Sequence, residues 1–163
     1  MRIKIIMTML LILVSQESLA DEERLSVKVN RLTLDTVIKI AKGAIDACRI
    51  KGIPVSATVV DRNGISQVQL RDTMAPPVSY PISFKKAYTA VMFNMKGMQM
   101  KNMKGSPLQE LNVDLAFAAG SVPIKAGGVL YGAIGVSGAP SGAVDEECAL
   151  QGLEVVIEDL EMM

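Results

Sequence analysis

Histidine is absent from the 163 residues. That excludes a His general base, a Ser–His or Cys–His nucleophile pair, and a His-ligated zinc site. Tryptophan is absent too, and aromatic residues make up only 4% of the chain, so the core has to be aliphatic. Neither sign of charge is in excess: 17 basic residues stand against 17 acidic ones. A neutral chain gives no case for nucleic acid, because neutralising phosphates needs a basic surplus. Cysteine is scarce, with Cys48 and Cys148 alone. No internal repeat or low-complexity segment stands out. What is plentiful is apolar material. Half the residues are hydrophobic, which fits one packed domain and not a disordered chain. A domain of this size buries roughly 70% of its unfolded surface and needs no staples.

The N-terminus stands apart from that domain. Arg2 and Lys4 form a short basic region, Ile5 to Val14 an apolar run broken only by Thr8, and Ser18-Leu19-Ala20 a small-residue end. This is the pattern of a signal peptide over residues 1–20, cleaved after Ala20, with a single domain over 21–163 and a periplasmic or secreted location. The apolar run is far shorter than the roughly 20 residues that span a bilayer. Cleavage removes two basic residues and one acidic one, so the mature chain stays near neutral.

Asp21 to Arg31 is polar and reads as a frayed lead-in. Thr33 is a predicted N-cap, followed by Leu34, Val37, Ile38, Ala41, Ala44, Ile45 and Cys48 at helical spacing. Gly52 and Pro54 end that helix. Val55–Val60 and Ile65–Arg71 read as strands around Asp61-Arg62-Asn63-Gly64, and Asn-Gly is a strong hairpin signal. Asp61 reads as a turn residue. A second helix is expected over Ser83–Met95, with Phe84, Ala87, Tyr88, Val91, Met92 and Met95 on one side. Ser106-Pro107 opens a short helical turn through Leu111. Val113–Ala119 is ambiguous between strand and helix.

Val122 to Gly138 holds two apolar runs around Gly127-Gly128, a tight-turn pair. Val129–Val136 is nearly all apolar or glycine, so both its faces should be covered. Gly132 and Gly135 leave room for a close neighbour. The last helix is expected over Val144–Leu160, with Asp145, Glu146 and Glu147 in its first turn, where the helix dipole favours acids. Short connections imply antiparallel strands, and the terminal helices should share one sheet face. The fold class is α+β. Cys48 and Cys148 fall on the apolar faces of the two terminal helices. They read as small buried hydrophobes, or as a disulfide if those helices are neighbours.

An ordered set of segments resembles the GlcG/HbpS family. It comprises Leu32-Thr33-Leu34, Gly52-Ile53-Pro54-Val55-Ser56 with Val59-Val60-Asp61 and Gly64, and Ala75-Pro76 with Lys86-Ala87-Tyr88-Thr89-Ala90. Val122-Pro123-Ile124, Tyr131 to Gly138 and Asp145-Glu146 complete it. The resemblance spans nearly all of the mature chain. It implies a five-stranded antiparallel sheet flanked by helices, similar to profilin-like domains, in a homo-oligomer. It also implies haem as the ligand, bound and slowly degraded, with a sensor or membrane-bound partner protein. Other members imply a small organic acid or a corrinoid-like ligand instead. Fold membership alone does not fix function.

Without histidine, an axial ligand to haem iron has to come from Met, Tyr, Cys or a weaker donor. Met92, Met95, Met98, Met100 and Met103 crowd one segment. Thioethers suit haem iron or Cu(I), or a flexible surface for partners, and Met95, Met98, Met100 and Met103 are the metal candidates. The plainer reading is core filling and a greasy loop. Lys85, Lys86, Lys96, Lys101 and Lys104 cluster nearby, where ammonium groups can pair with a ligand's carboxylates or simply face solvent. The cofactor-binding candidates are Lys85, Lys86, Tyr88, Met92, Met95 and Lys125. The glycine-rich run Gly135–Gly142 offers backbone N–H groups to an anion, but it lacks a nucleotide-loop pattern.

Overall fold

The computed structural model describes residues 25–163. The expected signal peptide, residues 1–20, lies outside them. Helix α1 spans Leu34–Ile50, with the Thr33 hydroxyl accepting from Thr36 N–H at 3.3 Å. Gly52 takes φ +74° just beyond its end, a conformation that glycine adopts without a Cβ clash. Strands β1 (Ser56–Asp61) and β2 (Ser66–Arg71) form the first hairpin. Its turn is held by Asp61, whose Oδ1 accepts from Asn63 N–H at 2.9 Å and Ile65 N–H at 3.0 Å. Helix α2 spans Ser79–Phe93, and a 3-10 segment spans Gly97–Met103. The short α3 covers Leu108–Leu111. Strands β3 (Ser121–Ala126) and β4 (Val129–Ser137) meet at Gly127-Gly128, both with positive φ, as the paired glycines predict. Helix α4, Gly142–Glu161, closes the domain.

The sheet order is β2-β1-β4-β3, antiparallel throughout. The expected count of about five strands becomes four, because Val113–Ala119 runs in turns and forms no strand. Side chains alternate across the sheet. Ala57, Val59, Val122, Ile124, Ile134 and Val136 face the first core, shared with α1 and α4. Val60 and Ala133 face a second core with Ala87, Ala90 and Val91 of α2. The domain therefore has three layers: α1 and α4, the sheet, and α2.

The two terminal helices share one face of the sheet, and they touch closely. A Cβ on Gly152 of α4 would lie 2.7 Å from the Ala44 Cβ of α1. That closeness rotates α1, so Ile40 is buried while Leu34 and Ile38, expected on the stripe, face solvent. It also brings Cys48 and Cys148 to a Cα separation of 5.5 Å, and they form a disulfide.

Helix α2 departs further from expectation. It starts at Ser79, four residues early, because Pro81 falls in the first turn, where its missing N–H costs no helical bond. It ends at Phe93, with Asn94 left-handed at φ 53°. Its buried face is small and hydroxylic. Ser79 and Ser56 hydroxyls hydrogen-bond at 2.8 Å, and those of Ser83 and Thr58 at 2.7 Å. Tyr88 and Met92, expected inward, lie over the hairpin turn at Gly64. Gly135 of β4 explains the seat: a Cβ there would stand 2.5 Å from the Ala87 nitrogen and nearer still to the Ser83 carbonyl oxygen.

Gly135→Val should therefore lift α2 off the sheet. Overpacking of this kind costs about 3 kcal/mol. A urea titration reads it as a lower unfolding midpoint, and an unchanged midpoint would show that α2 is not seated on this glycine.

Candidate functional site

Lys86 sits among the small residues of the α2 stripe, at 79, 83, 87 and 90, and is buried with them. Its ammonium donates to Asp145 Oδ2 at 2.7 Å and to the Val136 carbonyl at 3.0 Å. The other oxygen of Asp145 accepts from Ala139 N–H at 2.9 Å. The side chains are 7% and 4% exposed. A buried pair is tolerable only when further hydrogen bonds fill both partners, as here. Burial pushes the Asp145 carboxyl above its ordinary range, while the Lys86 charge and the Ala139 N–H pull it back. Gly120 completes the packing. A Cβ there would lie 2.6 Å from the Lys86 ammonium nitrogen and 2.9 Å from the Asp145 Cβ.

Glu146, the next residue, is also buried. Its Oε2 accepts from Met98 N–H at 2.8 Å and Gly120 N–H at 3.0 Å. One carboxylate thus clamps the 3-10 segment to the first turn of α4. Ser141 caps that turn, its hydroxyl accepting from Val144 N–H at 3.3 Å.

Between these parts lies a cavity of about 410 Å³, within the usual size of small-molecule sites. Lys86, Lys101 and Lys104 line it together with Met98 and Phe117, over a floor of Ala118-Ala119 and Ser141 to Ala143. Among the described residues, no carboxylate lines it. An anionic, partly apolar ligand suits such a lining. Two further cavities, of about 250 and 390 Å³, share Arg49 and Asp72. There Arg49 is already paired with Asp46 and Asp72 at 3.1 Å each, and its hydrogen bond holds the Asp72 carboxyl below the ordinary range.

Of the sequence candidates, Lys86 and Met98 line the cavity, together with Lys101 and Lys104 of the lysine cluster. The others are dispersed. Lys85 donates to the Val113 carbonyl at 2.6 Å. The Tyr88 hydroxyl accepts from the Asn112 amide at 3.2 Å. Met92 is exposed beside Gly64, and Lys125 is exposed at the far end of β3. Met100 is fully buried in the second core, and Met95 and Met103 pack against it. The four metal candidates thus sit in different surroundings. Sequence reasoning missed Phe117 and the roles of Asp145 and Glu146, which read there only as first-turn acids. A lysine inside a stripe of Ser and Ala was the signal available for Lys86.

Because Asp145 binds its proton more tightly folded than unfolded, its contribution to stability falls as pH rises from 3.8 to the raised value, and is flat above it. Lys86→Met removes the main opposing attraction and extends that window upward. The variant should lose about 3–5 kcal/mol at pH 7, where the charge is left unpaired. It should lose less at pH 5, where the carboxyl can take a proton. Urea unfolding at both pH values checks this, and equal losses would show that the carboxyl stays charged without its lysine.

Comparison with known proteins gives a consistent picture. The family model described as haem degrading protein HbpS-like matches residues 32–154. A double mutant of Streptomyces reticuli HbpS superposes with TM-score 0.76 at 37% identity, over 80% of this chain and 90% of that one. The Klebsiella pneumoniae protein ORFY gives TM-score 0.75 at 24% identity, over 81% and 94%. A PduOC–haem complex gives 0.72 at 23% identity, over 77% and 95%. These last two share the fold. No curated protein matches the chain.

Proposed function

The chain belongs to the family of haem-degrading, HbpS-like proteins, and on that premise we propose that it binds haem in the lysine-lined cavity beside α4. The observation that carries this reading is the lining itself, three lysines with Met98 and Phe117 and, among the described residues, no carboxylate. The donor set fits the group. Lys101 and Lys104 present ammonium groups that pair with haem carboxylates, and Phe117 and Met98 present apolar surface to the ring. Bound haem supplies a redox-active iron. The chain itself contributes binding and orientation. Lys86 is locked to Asp145, so it holds the floor of the site and is not free to act as a base. The protein is on this reading a haem binder and not a dedicated enzyme.

We also propose export, supported by Arg2, Lys4, the run Ile5–Val14 and Ser18-Leu19-Ala20. The Cys48–Cys148 disulfide fits an oxidising compartment. Self-association, or a sensor-type partner, fits the exposed apolar side chains Leu111 and Val113, which are 82% and 75% exposed.

A hemin titration followed at the Soret band, with apo-myoglobin as competitor, tests the ligand. The expected result is saturation at one haem per chain. Lys101→Glu with Lys104→Glu should weaken binding about tenfold, because two rim pairs are worth roughly 1–2 kcal/mol together. A non-saturating signal would overturn the haem reading. A rise in melting temperature with a small carboxylic acid, and no Soret signal, would favour an organic acid in the same cavity.

A further inference from the structure

We propose that the Met98 thioether sulfur is the axial ligand to the iron of the bound haem; this rests on the haem reading above. The conventional protein donors to haem iron are His, Cys, Met and Tyr. Histidine is absent from the chain. Both cysteines are consumed in a disulfide with no exposed surface. Tyr131 is buried in the first core, across the sheet from the cavity. The Tyr88 hydroxyl is bonded to Asn112, and Tyr88 is not among the residues lining the cavity. Met100 has no exposed surface. Among the described Met, Tyr and Cys residues Met98 alone lines the cavity, with 39% of its surface exposed.

Its position is also built. The Met98 N–H is held at 2.8 Å by the buried Glu146 carboxylate, which holds Gly120 as well. A clamped backbone leaves only the side-chain torsions to be fixed when the sulfur meets a ligand, which lowers the ordering cost of binding. Glu146 is thus a positioning residue for the sulfur. The coordination step forms one iron–sulfur bond from a thioether lone pair. The thioether has no proton to release, and a water or hydroxide held by the iron of free hemin would leave to solvent as the bond forms.

The test compares hemin complexes of the full-length protein with those of Met98→Leu and the control Met95→Leu, by absorption, magnetic circular dichroism and redox titration. The wild type and Met95→Leu should give the same complex, with a thioether-to-iron signature. Met98→Leu should keep the one-to-one stoichiometry but lose that signature, and its midpoint potential should fall, because thioether ligation raises the potential. If Met98→Leu keeps the wild-type spectrum, or if the wild-type complex lacks the sulfur signature, Met98 is not the ligand and the haem reading stands. If the wild type takes up hemin without saturation, both readings fall together.

Discussion

Lys86 reaches from α2, on one face of the sheet, to Asp145 of α4, which packs on the other face. That ammonium–carboxylate contact joins the two helical layers at the end of β4. Three features depend on it directly. The carbonyl of Val136 and the N–H of Ala139 supply the remaining bonds of the buried charges. Gly120 must lack a side chain so that the pair can close. Glu146, one residue further, then faces the 3-10 segment and holds it. The cavity wall is therefore assembled around a charge pair that the interior would otherwise not tolerate.

The net charge of the chain conceals this arrangement. Basic and acidic residues balance over the sequence, yet the cavity is lined by three lysines and, among the described residues, no acid. The acids nearest to it face inward, spent on Lys86 and on backbone N–H groups. Lys86 is neutralised by Asp145, so the free positive charge at the cavity is that of Lys101 and Lys104. A local field of this kind steers and holds ligands independently of overall charge.

Much of the fold was legible in the sequence because local chemistry and global packing agree there. Thr33 and Gly52 bound α1, Gly127-Gly128 turns β3 into β4, and the two terminal helices share a face. The site was legible only in part. Lys101, Lys104 and Met98 stood in visible clusters, but their convergence with Phe117 depends on how the turns after α2 fold back. The burial of Lys86 contradicts the ordinary exposure of lysine and is decided by a partner 59 residues away. The inward face of α2 was misread for a related reason. Apolar spacing picked out Tyr88 and Met92, while the sheet accepts only small side chains at Gly135. The disulfide needed the closeness of α1 and α4, which no local pattern encodes.

The seating of α2 on hydroxyl pairs and a bare glycine has a consequence for how this sequence can drift. Ser56, Thr58, Ser79, Ser83 and Gly135 meet with no slack, so enlarging any one of them pushes the helix away from all the others. Substitutions at the four hydroxyl positions are confined to exchanges among small residues or must arrive as compensated pairs, and Gly135 admits no Cβ unless the helix shifts. Along the same helix Tyr80, Pro81 and Met92 are exposed, and variation among descendants of this chain should gather at them.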